Sequence, residues 1–152
     1  MIEAERLDDA LNRASRNRSR LVFFVGADVS QDNISGFFTV NLNKTLPAII
    51  TSEPRQNRAK LAAGIVRDHI AGIDAETVLV TGVEILFDRT LSLDPVRLLK
   101  DCSRQKTLLV HWPGDKNGDG LSYAILGHPE YRTYKRSDLK DIILVEADDG
   151  QC

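Results

Sequence analysis

The sequence predicts an α/β fold: a mostly parallel β-sheet with helices on both faces. Three observations carry this. Short apolar runs recur along the chain, at Leu21–Val25, Thr77–Thr81, Thr107–His111 and Ile142–Val145. Segments with helical periodicity alternate with them. The runs are apolar throughout rather than at every second position, the habit of strands buried on both faces, as in parallel sheets.

The elements follow in order. Ala4, Leu7, Leu11 and Ala14 are spaced three, four and three apart, which draws one apolar stripe on a helix. Arg13, Arg16, Arg18 and Arg20 crowd its C-terminal end, where cations suit the helix dipole. Leu21–Val25 is the first strand, closed by Gly26. A polar loop leads to a second strand at Phe37–Leu42, and Leu46 to Ile50 reads as a short helical turn. A longer helix is expected from about Asn57 to Ile70, with Leu61, Ile65, Val66 and Ile70 on its inner side and His69 on its exposed side. Gly72 stops it. Thr77–Thr81 is the third strand. Asp94-Pro95 is a strong helix start, an N-cap carboxylate followed by proline at the first helical position. That helix turns Val96, Leu99 and Cys102 inward. Thr107–His111 is the fourth strand, broken by Trp112-Pro113-Gly114. Asp115 to Gly120 reads as turns, and Ile142–Val145 as the last strand. The acidic tail from Glu146 to Cys152 is expected to fray. Leu21–Val25, Thr77–Thr81 and Thr107–His111 should lie side by side at the centre of the sheet.

Length and composition bound the function. The 152 residues fit one domain, which buries enough surface to fold without a disulfide or metal. The net charge of −2 gives the whole molecule no strong pull on nucleic acid or anionic membrane. Two cysteines, Cys102 and Cys152, make neither a disulfide framework nor a zinc site, and suggest a reducing compartment. No apolar run approaches the length of a membrane span, and the charged N-terminus is no signal peptide. The expected location is the cytoplasm, with no membrane partner.

In an open α/β sheet, ligands sit at the carboxyl ends of the strands. After the first strand stands Gly26-Ala27-Asp28-Val29-Ser30-Gln31-Asp32-Asn33, where a phosphate-binding P-loop would lie. That motif, G-x-x-x-x-G-K-[ST], surrounds the phosphates with amides and supplies a lysine to them and a hydroxyl to magnesium. Here its last slots hold Gln31, Asp32 and Asn33, and Asp32 opposes the charge it should offset. Lys44-Thr45 follows the second strand without a glycine at the required spacing, and reads as surface. After the third strand comes Thr81-Gly82-Val83-Glu84. A magnesium-holding aspartate should end this strand, and Thr81 cannot supply its charge. Glu84 could orient a water, but reads better as a solvated loop residue. His111 and Trp112 end the fourth strand, at a sensor position. His111 has no nucleophile or carboxylate partner identifiable from sequence, so a structural role is the better reading. No metal is expected.

Several short motifs in the later half resemble, in order, those of BrxF, the small P-loop protein of type 3 BREX bacteriophage-exclusion systems. They are Glu84–Asp88, Leu93–Leu99, Ser103–Thr107 and the segment Gly127-His128-Pro129-Glu130-Tyr131-Arg132. The earlier half fits more loosely, through the N-terminal helix, Leu21–Gly26 and Val40–Asn43. The resemblance implies a P-loop NTPase-like domain with a RecA/AAA-like core, truncated around the helix that should follow the P-loop. It also implies a role in phage defence. The family's G-K-[ST] and its magnesium aspartate fall on Gln31-Asp32-Asn33 and Thr81, so both elements of the ATP site are degenerate.

The reading that joins these is a non-catalytic, pseudo-ATPase accessory subunit that contacts other proteins of a defence complex and needs no cofactor. An ATPase using ATP and magnesium through Lys44, or through a partner's lysine, is the first alternative. A DNA-binding module using Arg13 to Arg20 is the second, and a hydrolase centred on His111 the third. Gly127 to Tyr134 is expected to pack on the domain, anchored by Tyr131 and Tyr134, with His128 a hydrogen-bonded structural residue.

Overall fold

A computed structural model describes residues 4–26, 38–118, 120–124 and 129–146. The stripe at the N-terminus forms helix α1 (Ala4–Ala14), and strand β1 (Leu21–Val25) follows. Strand β2 (Phe38–Asn41) runs directly into helix α2 (Leu42–Thr51), and helix α3 (Arg58–Ala71) leads to strand β3 (Thr77–Thr81). Two 3-10 turns, Val83–Phe87 and Arg89–Leu91, precede helix α4 (Pro95–Cys102) and strand β4 (Thr107–His111). Three short strands follow, β5 (Asp115–Asn117), β6 (Gly120–Tyr123) and β7 (Arg132–Tyr134), then strand β8 (Ile142–Glu146).

The five long strands form one parallel sheet in the order β2-β3-β4-β1-β8. The three runs expected at its centre are adjacent there. Leu21 pairs with Leu108 on one side and Ile142 on the other, and Val78 also pairs with Leu108. All five residues of β1 are buried. Alternation then divides the side chains between two faces. Phe23, Val80 and Val110 face α2, α3 and α4 in the main core. Val22, Phe24, Leu79, Leu109 and Val145 face α1, which meets them with Ala10 and Ala14. Two alanines let that helix lie close to the sheet. The crossovers from β2 to β3 and from β3 to β4 step the same way along the sheet. Their helices accordingly pack on the same face, as right-handed connections require.

Four expectations are corrected. Asp115–Gly120 is not a string of turns: β5, β6 and β7 form a separate antiparallel sheet, with Asn117 paired to Gly120 across a tight reversal. Gly118 sits there at φ 58, the left-handed conformation that the first loop position of a two-residue hairpin favours. The turn at Leu46–Ile50 is part of a ten-residue helix that begins at Leu42, so the second strand ends one residue early. Leu42, Leu46 and Ile50 are its buried stripe. On α3 the buried line is Ala62, Val66 and Ile70, whereas Leu61 is exposed. His69 is half-buried rather than exposed. The N-cap at Asp94 is present, with its carboxylate accepting the Arg97 amide at 3.4 Å.

Cys102 closes α4 and is buried, and that burial pushes its thiol up to about 12. Below pH 9 the thiol is protonated in both folded and unfolded chains, so the benefit of burying it is intact. Between about 9 and 12 the unfolded chain ionises and the folded one does not, so stability falls as pH rises. Burial also raises the Tyr123 and Tyr134 phenols, which act in the same direction above pH 10. The urea midpoint should therefore drop between pH 9 and pH 11, and drop less in Cys102→Ala. Equal slopes for the two proteins would contradict this.

Candidate functional site at the carboxyl edge of the sheet

The parallel strands deliver several of the sequence-derived site residues to one edge. β1 ends at Gly26, β3 at Thr81-Gly82, β4 at His111-Trp112, and β2 at Asn41. Gly26 (φ 89) and Gly82 (φ 62) are both left-handed, which their lack of a Cβ allows. Ala27 to Asn33 lie outside the described residues, as does the segment read as a truncated P-loop helix. His128 lies outside them too.

The hollow beside Gly82 is filled by Asn41. A Cβ placed on Gly82 would stand 1.8 Å from Asn41 Oδ1. Thr81 Oγ1 donates to the Val40 carbonyl at 3.4 Å, across to the neighbouring strand. Glu84 Oε1 accepts from Asn43 Nδ2 at 3.2 Å, while Asn43 Oδ1 accepts the Ile85 amide at 2.9 Å. Asn43 thus fastens the first turn of α2 to the Val83–Phe87 turn. Glu84 is exposed yet engaged, in a bond that joins two elements. Asn41 Oδ1 and Thr45 Oγ1 are buried without a hydrogen-bond partner among the described residues. Both are neutral oxygens, and neither supplies the charge that a magnesium–phosphate group calls for.

Lys44 is exposed in the first turn of α2. β2 passes into that helix with no intervening loop, so this junction itself supplies no ring of amides for a phosphate. His111 is half-buried and stacks on Phe24, with ring centroids 5.3 Å apart. Trp112 is almost wholly buried, and its indole N–H donates to the Ser122 carbonyl at 2.9 Å. Its ring packs on Phe23 and meets Phe87 and Tyr134 edge-on. Tyr123 stacks on Phe87 at 3.8 Å, and the charges of Glu130 and Glu84 add to burial in raising its phenol. The fold therefore gathers Glu84, Glu130 and Tyr123 in one neighbourhood. Pro129 is exposed, whereas Tyr131 and Arg132 are half-buried; Arg132 opens β7, whose Tyr134 is buried.

Among the described residues, no group of three or more His, Cys, Asp or Glu could hold a metal ion. No helix among them is long and apolar enough to cross a membrane. No family model, curated protein or solved structure matches the chain.

Sequence reasoning missed Asn41 and Asn43. The available signal was their position: two amide side chains just beyond an apolar strand, at the edge where parallel sheets place their ligands. It also read Trp112 as a sensor position, whereas the described structure gives that ring a packing role.

Proposed function

We propose that the chain is a non-catalytic, P-loop-like accessory subunit of a bacterial anti-phage defence system, acting by protein–protein contact. The observation that carries the non-catalytic part is the state of the β3 end. Thr81 stands where a metal-holding carboxylate is needed, and its hydroxyl is turned to Val40. Gly82 is covered by Asn41, and Glu84 is engaged by Asn43. The groups that would face a nucleotide join one part of the protein to another instead. The described residues at this edge do not fit ATP–magnesium. Positioning and electrostatics are nearly all that phosphoryl transfer asks of a protein, so the engagement of these groups elsewhere supports the non-catalytic reading.

The P-loop-like part of the reading draws on the parallel sheet. The ends of β1 and β3 lie two strand spacings apart, about 10 Å, close enough for one phosphate group with its metal to touch both. The defence context rests on the resemblance of the later motifs to BrxF. Calorimetric titration of ATP–magnesium into the purified chain is the test. The expected result is no saturable heat. Micromolar binding at one site, lost in Lys44→Ala, would replace this reading with an ATPase built on the start of α2.

A further inference from the structure

β8 is an edge strand, and among the described residues no strand pairs with its outer side. Along that side runs a groove of about 900 Å³. Exposed Arg13, Lys116, Arg136 and Lys140 line it, against one carboxylate, Asp141. Its floor is apolar, with half-buried Ile143 and Leu144. Asn17 Nδ2 donates to the Asp141 carbonyl at 3.2 Å, which ties the end of α1 to the start of the strand. Arg13 approaches from the α1 face of the sheet. Lys116 approaches from the small sheet, whose Leu121 and Tyr134 join the core on the opposite face. A strand laid beside β8 would thus meet cations on both sides.

Exposed apolar edges invite pairing, and proteins commonly blunt them with charge. Here four of the five charged residues that line the groove are cations, which leaves strand pairing open to an oppositely charged chain. We propose that the β8 edge is a docking site for an acidic, extended segment of a partner protein, added as a sixth strand. The proposal rests on the adaptor reading above and names its contact surface. Main-chain hydrogen bonds would give affinity, and the cations would select acidic side chains on either face. A second copy of this chain fits poorly, because edge-to-edge pairing would bring the same cations together. A nucleic-acid backbone would satisfy the cations and the outward amides but leave the outward carbonyls of β8 without donors.

The probe is a short fluorescein-labelled peptide alternating glutamate with valine, titrated into the full chain and followed by anisotropy and hydrogen exchange. Saturable binding with slowed exchange at residues 142–146 is expected. Arg13→Glu combined with Arg136→Glu should weaken it by roughly tenfold or more, with an unchanged circular dichroism spectrum showing that the variant folds. Equal binding of the lysine–valine counterpart overturns the proposal. So does absence of binding, binding that leaves exchange in β8 unaltered, or protection of β8 by concentration-dependent dimerisation. Tighter binding of single-stranded DNA at the same cations would overturn it in favour of nucleic acid. If the peptide fails while ATP–magnesium gives no heat, the surface is wrong and the adaptor reading stands. Nucleotide binding at micromolar affinity removes the adaptor reading itself.

Discussion

Trp112→Ala should destabilise the protein by about 3–5 kcal/mol, the range for removing a large aromatic from a packed core. The ring is 1% exposed and touches Phe23 on the central strand, Phe87 on the turn after β3, and Tyr134 on β7. It is the point where the main sheet meets the small one. Truncation leaves a cavity bordered by three aromatic rings. It also strips the Ser122 carbonyl of its indole donor, which adds the cost of an unpaired buried acceptor. Trp112→Phe keeps much of the packing but loses the donor, so it should fall between wild type and alanine. The chain has one tryptophan, so the denaturation curve is best followed by far-UV circular dichroism. A loss below about 1 kcal/mol for alanine, in the range of surface substitutions, would mean that the ring serves a ligand rather than the core.

The same residue shows what could and could not be read from the sequence. The central sheet was legible because β1 is apolar at all five positions and β3 and β4 at their middle three, and burial on both faces is what explains such runs. The Asp94-Pro95 helix start was legible because its signal is local: one carboxylate to cap and one proline to open. The small sheet was not read, although Gly118-Asp119 is a hairpin signal. Its strands are three or four residues long, and β5 is wholly polar, so no hydrophobic period marks it. Helix α2, expected only as a short turn at Leu46–Ile50, carries Pro47 inside it. Proline removes one helical donor and argues against a continuous helix; burial of Leu42, Leu46 and Ile50 outweighs that penalty. At the candidate site, the sequence shows which residues stand at the strand ends. It does not show what they touch. The contacts of Asn41 with Gly82 and of Asn43 with Glu84 join residues about forty positions apart, and only the pairing of β2 with β3 brings them together.

Gly114→Ala is the substitution expected to act on the junction through the backbone. Gly114 lies between Trp112 and β5, where the chain turns from the main sheet into the small one. A Cβ added there would stand 1.9 Å from the Ser122 carbonyl oxygen and 2.9 Å from its carbon. Those atoms belong to the backbone of β6, which is held by pairing on both sides, so they cannot swing aside as a side-chain tip would. The same oxygen accepts the Trp112 indole N–H, and the new methyl would also press on Trp112 Nε1 at 3.0 Å. Relieving the clash means moving β6 away from Gly114, which lengthens that hydrogen bond and loosens the Phe87–Tyr123 stack. One methyl group therefore disturbs backbone pairing, a buried hydrogen bond and aromatic packing together. The expected loss is about 3 kcal/mol or more, at the upper end of overpacking effects, with a red-shifted tryptophan emission as water reaches the ring. Gly118→Ala provides the contrast. Nothing lies within 4 Å of a Cβ at that position, and only its left-handed φ of 58 opposes the change. It should cost about 1 kcal/mol and leave the emission where it was. If Gly114→Ala were as mild as Gly118→Ala, the close approach of residue 114 to β6 would be wrong. The contact between the two sheets would then have to be formed in another way.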